Sequence, residues 1–350
     1  MIDAHIHFSS DIGAEDLKRF LEENGMTGIA LQCIPKGGVR AVEEDAFSYA
    51  ERSGIPVYIF GGLSRNIWSE GDRASQQKMS RDQVGQISQQ QTSEEQVSQQ
   101  QLSDRLLAEA RRLMACGCTG IKMLEGKPDV RKNFHIPDFD TEVWDSYWSY
   151  LEENEIPVYF HVNDPEEFWN PNLVADYVKA AGWFYGDGYI GNEEQYRQVL
   201  QVLSNHPNLK ILFPHFFFLS ADLPRLSGIL DSFKNVRIDV TPGVELYYNL
   251  SENVKEAKAF FEKYQDRILY GTDIGARNVI AKEDKPFNLE ESKARVRLIR
   301  DFLEKKCDYL LIADGAYVKE REPTVMHGLG LDENVLAKIY VENFLEFIKR

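Results

Sequence analysis

The chain has 350 residues, with 40 Lys and Arg against 56 Asp and Glu, a net charge of −16. That length supports a substantial buried core, and 43% apolar with 27% charged residues excludes a disordered or fibrous chain. A charge this negative repels phosphate backbones and no basic stripe offsets it, which argues against nucleic-acid binding.

In chain order, β-branched and aromatic runs predict strands at residues 2–8, 27–33, 57–60, 120–123, 158–161, 210–214, 236–240 and 267–271. Amphipathic stretches between them predict helices at 14–24, 39–53, 104–115, 141–153, 193–204, 221–233 and 253–264. Two more are expected after the last strand, at 289–305 and 333–349. Eight short apolar strands alternating with helices imply a parallel sheet covered by helices. Eight such units fit a (β/α)8 TIM barrel better than an open doubly wound sheet, and no Gly-rich phosphate loop follows the first strand. The whole of 1–350 is therefore read as one barrel domain.

One segment departs from this pattern. Residues 71–104 form a Gln/Ser-rich tract containing the loose echo ISQQQ and VSQQQ. It falls after the third strand, on the side where a barrel carries its active site. It reads as a solvated, partly helical insertion, or alternatively as a lid or an oligomer contact. No apolar run approaches the roughly 18–20 residues of a membrane span. The chain opens on a strand rather than a signal sequence, so the cytoplasm is the expected compartment. The scattered Cys33, Cys116, Cys118 and Cys307 fit neither a disulfide framework nor a zinc ribbon and are expected to be reduced.

Catalytic residues of such barrels sit at the C-terminal ends of the strands. The polar residues there are His5 and His7 on the first strand, Lys122 on the fourth, His161 on the fifth, His215 after the sixth and Asp273 after the eighth. Residues i and i+2 of a strand share a face, so His5 and His7 can converge on one ion. Imidazole and carboxylate are suitable donors for zinc and its neighbours. A hydrogen-bonded pair of core histidines is the alternative for His5-x-His7 alone.

Asp3-Ala4-His5-Ile6-His7, His161, His215 and Gly271-Thr272-Asp273 together resemble the amidohydrolase superfamily, and more closely its amidohydrolase-2 branch of single-domain barrels. HVNDPEEFW (161–169), HPNLKILFPH (206–215), NVRIDVTPG (235–243), FFEKYQDRILYGTD (260–273) and KIYVENF (338–344) are similar to that branch as well. The resemblance implies a metal held by His5, His7, His161 and Asp273, with Asp273 also able to serve as general base. It makes His215 a further ligand or the base that deprotonates a metal-bound water. The expected cofactor is one divalent ion, zinc first, with Mn, Fe or a second metal as alternatives.

Lys122 is open between three readings: a carboxylated bridge between two metals, a contact to a substrate carboxylate, or a wall residue paired with a neighbour such as Glu125. Arg65 and Arg277 are candidates for clamping a carboxylate, or are surface arginines. Trp169, Trp183, Phe184, Tyr185 and Tyr189 either wall a pocket or pack. His135 and His327 are expected in loops and His206 at a helix end, all three structural or exposed. The expected activity is hydrolysis of a small amide, ester or lactone, perhaps one bearing a carboxylate. The alternative on the same residues is a non-oxidative decarboxylase or hydratase of an aromatic or unsaturated acid. A small molecule is the expected partner, without nucleic acid or membrane, and a homo-oligomer is compatible with these features.

Overall fold

The structure is a computed structural model and describes residues 1–8, 14–35, 43–69, 88–275, 288–311 and 324–350. Eight strands form one sheet in sequence order: β1 (Ile2–His7), β2 (Gly28–Cys33), β3 (Val57–Gly62), β4 (Gly120–Gly126), β5 (Val158–Val162), β6 (Ile211–Phe213), β7 (Val236–Asp239) and β8 (Ile268–Leu269). Every neighbouring pair is parallel. The sheet closes on itself beyond β8. Ala4 N donates to Tyr270 O, Asp273 N to His5 O and His7 N to Ile274 O, at 3.0, 2.8 and 2.8 Å. This is the (β/α)8 barrel expected from the strand pattern, and all eight strand assignments hold to within a few residues.

The two-residue period of the strands sorts side chains into two layers. Ala30, Phe60, Tyr159, Leu212 and Leu269 form one interior cluster with Ile2 and Ala4, closed from below by Phe344 and Phe347 of the C-terminal helix. Their neighbours Ile29, Leu31, Ile59, Val158, Phe160, Ile211, Phe213, Ile268 and Tyr270 pack outward against the helices. One step further along the same inward rows lie His161 after Tyr159, and Gly271 then Asp273 after Leu269. Asp239 and Thr241 follow Arg237 in the same way. On β1 the pairing with β2 shifts between Asp3 and Ile6. An irregularity of this kind re-aims side chains. Here Ala4 joins the interior floor and Ile6 the outer layer, while His5 and His7 reach the barrel mouth.

Several differences from the sequence reading concern the loops. The helix expected at 104–115 runs from Ser88 to Ala115, so the second half of the Gln/Ser tract is helical. Residues 71–87 lie outside the described residues. Short helices appear at Asn66–Ser69, Pro128–Asn133, Asp176–Ala180 and Leu246–Glu252, where none was expected. The C-terminal helix is interrupted by a π-helical turn, Lys338–Glu342. His327 is in a strand rather than a loop: β9 (Asp308–Leu311) and β10 (Thr324–His327) pair antiparallel, and His327 Nδ1 lies 2.6 Å from Asp308. Among the described residues no helix is long and apolar enough to cross a membrane.

Candidate active site

Three of the candidate ligands meet at the mouth of the barrel. His5 Nε2 and His7 Nε2 are 3.3 Å apart, and Asp273 Oδ1 lies 3.0 Å from His7 Nε2 and 3.6 Å from His5 Nε2. All three residues are buried. Donors bound about 2.0–2.1 Å from one tetrahedral ion stand roughly 3.3 Å from each other. The three atoms are thus already spaced as one face of a coordination shell. Two imidazoles and one carboxylate with an open fourth position match the donor set of a catalytic zinc site, so these residues fit a divalent ion.

The protonation states agree with that fit. Burial holds the His5 and His7 imidazoles below their ordinary range, which favours the neutral form that metal binding requires; His5 Nε2 lies 3.1 Å from Lys122 Nζ and His7 Nε2 lies 3.0 Å from Asp273 Oδ1. For Asp273 burial acts in the opposite sense, but His7, His215 and His5 outweigh it and hold the carboxyl well below its usual range. Arg295 NH1 sits 3.4 Å from Asp273 Oδ2 and donates to the carbonyls of Thr272 and Asp273. Asp273 itself has φ 59°, a left-handed conformation that turns the chain as it leaves the barrel wall.

A second layer orients His5. Asp239 Oδ2 is 2.8 Å from His5 Nδ1, and Thr241 Oγ1 is 3.2 Å from the same nitrogen. Asp239 Oδ1 accepts from the backbone N–H of His215 at 2.8 Å and of Thr241 at 3.1 Å. An imidazole whose Nδ1–H is bound to a carboxylate presents its Nε2 lone pair to the ion. Gly271 makes room for this arrangement, since a Cβ there would lie 2.8 Å from His5 Cβ and 3.3 Å from Thr241 Oγ1. Asp3 accepts from Thr272 N–H and its hydroxyl, tying β1 to the β8 end, and burial raises its carboxyl to about 7.

His161 and His215 form a second group beside the first. Their rings are 5.3 Å apart, and His215 is 5.9 Å from the His5 ring. His161 is not part of the close His5–His7–Asp273 cluster. It lies 3.5 Å from Asp164 Oδ1 and lines the same cavity as His7, His215 and Asp273. His215 Nδ1 is buried without a hydrogen-bond partner, and burial lowers the imidazole to about 4. Lys122 Nζ is 3.1 Å from His5 Nε2, and burial lowers the ammonium to about 8. Glu125 is not the ion-pair partner of Lys122, because it accepts from buried Arg65 at 3.4 Å. Arg65 also packs its guanidinium 4.6 Å from the centre of the Phe134 ring and does not line the cavity. Arg277 lies outside the described residues.

The cavity at the mouth holds about 570 Å³ of open space, its opening to solvent included. Its walls include Leu124, Phe168, Trp183, Phe218, Pro242 and Val244. Of Trp169, Trp183, Phe184, Tyr185 and Tyr189, Trp183 lines the cavity, together with Phe168. Trp169 donates to Ile190 O at 2.9 Å and packs on Tyr185, and Phe184 and Tyr189 belong to the same satellite cluster.

Two features of this site were not anticipated from the sequence. Asp164 accepts from both Lys127 and the Tyr185 hydroxyl, a clasp that joins the loops after β4 and β5 beside His161. Lys127 and Asp164 hold the Asp164 carboxyl and the ammonium as a buried pair; burial opposes ionisation of Asp164, yet Lys127 and His161 keep it well below its usual range. The second is the chain after β6. His215, Phe216, Phe217 and Phe218 all have positive φ, at 56°, 57°, 57° and 54°. A left-handed turn of four residues bearing side chains costs about 1–2 kcal/mol per residue. Phe217 stacks on Phe213 at 3.9 Å, Phe216 packs on Phe260 and Phe261, and Tyr196 OH donates to Phe217 O at 2.8 Å. These contacts oppose the strain. The signal for the clasp was an acid and a lysine directly after strand ends; HFFF offers no glycine to betray the turn.

Fold and rim chemistry together define an enzyme of the TIM-barrel class. The family model described as Amidohydrolase, the amidohydrolase-2 family, matches residues 97–347, and the chain belongs to that family. The matched range begins after β1, so it does not include His5 and His7. No curated protein sequence matches the chain. Among solved structures it is similar to 2,6-dihydroxybenzoate decarboxylase from Rhizobium, at 12% identity and TM-score 0.53, covering 99% of this chain and 98% of the other. It is similar to 4-oxalomesaconate hydratase from Rhodopseudomonas palustris, at 12% identity and TM-score 0.51, covering 99% and 95%. A dihydroxybenzoic acid decarboxylase from Polaromonas, solved with manganese and 2-nitroresorcinol, is 12% identical with TM-score 0.51, covering 99% and 96%. At these identities the likeness is one of fold.

Proposed function

We propose that the protein is a metal-dependent hydrolase of a small amide, ester or lactone, with one divalent ion, zinc first, held by His5, His7 and Asp273. The observation that carries this reading is the 3.0–3.6 Å spacing of three buried donors at the barrel rim. A bound ion supplies Lewis acidity, polarising an oxygen under attack and lowering the pKa of a water toward 7.

The chain's own residues do the rest. Asp239 and Thr241 hold the His5 ring, and Arg295 steadies the Asp273 carboxylate. His215, which lines the cavity and is held to its neutral form by burial, accepts the proton that the nucleophile gives up and returns it to the leaving group. Asp273 is the alternative proton acceptor. His161 completes the donor set or contacts substrate from the facing wall. The apolar walls exclude water from all but the reacting end of the ligand. A cytoplasmic location belongs to the same reading, in keeping with four scattered cysteines that lack the density of a disulfide framework. The region 1–350 acts as one domain in this reading, with the Gln/Ser tract as an insertion.

The same residues serve a second reading, decarboxylation or hydration of an aromatic or unsaturated acid, favoured by the ring-lined cavity and by the decarboxylase and hydratase among the fold relatives. Metal-loaded protein offered lactones, esters and amides in heavy-oxygen water is expected to incorporate label into the acid product. Carbon dioxide release without label uptake, or label entering an unsaturated acid as a hydroxyl added across its double bond, would establish the second reading instead.

A further inference from the structure

The left-handed turn His215–Phe218 places two rings where the cavity needs them. His215 and Phe218 stack face to face, with centroids 5.1 Å apart and planes 22° from parallel. Phe218 also lies 5.5 Å from the His161 ring. The three phenylalanines of the turn differ in what their burial returns. Phe216 and Phe217 are fully buried in the core and anchor the turn. Phe218 is only half-buried and lines the cavity, so core packing does not account for a bulky side chain at φ 54°, where glycine alone is free of strain. Phe168 and Trp183 stand in the same cavity wall.

We propose that Phe218 is a specificity-determining residue: its ring, fixed beside His215 by a strained turn, is the surface on which a flat, unsaturated part of the substrate packs. This rests on reading the cavity as the substrate site, and it deepens that reading by naming the shape the site selects. A flat ring or conjugated chain gains edge or face contact with Phe218, whereas a puckered saturated ring of equal charge does not. An aromatic pair beyond simple burial corresponds to about 3- to 10-fold in affinity.

The test uses manganese-loaded protein with benzoate and cyclohexanecarboxylate as flat and puckered probes, followed by paramagnetic broadening of their proton resonances. The wild type is expected to bind benzoate about 3- to 10-fold more tightly. Phe218→Tyr keeps that preference, while Phe218→Ala and Phe218→Gly lose it. The Gly variant is also expected to melt about 1–3 °C above the Ala variant, the reverse of the usual order. Equal affinity for the two probes in the wild type, including binding of neither, overturns the proposal. So does a preference that survives in Phe218→Ala, or a Gly variant that melts below the Ala variant. Failure of manganese to load counts against the proposed metal site alone, because quenching of tryptophan fluorescence compares the same probes without metal.

Discussion

Replacing Asp239 by asparagine isolates the orienting layer from the ligands themselves. Asp239 is fully buried, and its Oδ1 accepts from two backbone N–H groups, those of His215 and Thr241. In Asp239→Asn only the amide oxygen can meet those donors, so the NH2 group must turn to His5 Nδ1, now 2.8 Å from Oδ2. His5 then accepts at Nδ1 and carries its proton on Nε2, the atom that faces His7 and Asp273. The lone pair needed for metal is removed without moving any ligand. Loss of such an outer partner costs about 10–100-fold in metal affinity, or about 1.4–2.8 kcal/mol. Competition with a chelator of known affinity measures it directly, and the near-isosteric change should leave the melting temperature little altered. Wild-type affinity in a folded Asp239→Asn protein would refute the reasoning.

Other substitutions separate positioning from packing. Gly271→Ala places a methyl group 2.8 Å from His5 Cβ, so it is expected to destabilise the fold by about 1–3 kcal/mol and to lower metal stoichiometry, read by denaturant titration and elemental analysis. Arg65→Ala strips buried Glu125 of its ion-pair partner and should cost about 3–5 kcal/mol while metal affinity stays unchanged; a stable variant with impaired ligand binding would return Arg65 to the substrate. His215, lowered from its ordinary 6.5 to about 4 by burial, refuses a proton that the unfolded chain takes up between those values. Its contribution to metal-free stability therefore rises with pH through that window, by roughly 3 kcal/mol in all. Asp3, raised to about 7, works in the opposite direction, so the comparison is between wild type and His215→Gln: the variant should show the shallower loss of stability from pH 7 to pH 5 in urea titrations.

The barrel was legible because parallel strands buried on both faces read as apolar runs of the right length, and the helices between them carry the 3.6-residue period. His5 and His7 were legible for a related reason, since a two-residue spacing on a strand is a statement about direction. Partnerships between distant strands were not. Asp239 meets His5 across 234 positions of sequence, and Glu125 chooses Arg65 across 60. Pairing Lys122 with Glu125 runs against strand geometry, because an odd separation sends the two side chains to opposite faces. The turn at His215–Phe218 violates local preference outright, and only the surrounding packing holds it. The helical second half of the Gln/Ser tract shows a composition that favours helix without specifying how far it runs.

The central claim is that His5, His7 and Asp273 bind one catalytic ion. Stripped protein reloaded with zinc or manganese, then analysed for metal content beside a His5→Ala, His7→Ala double variant, tests it most directly. The account predicts one ion per chain in the wild type, with anomalous scattering between the three side chains, and loss of that ion in the double variant. A wild type that binds no stoichiometric metal, or a double variant that keeps its full content, would contradict it.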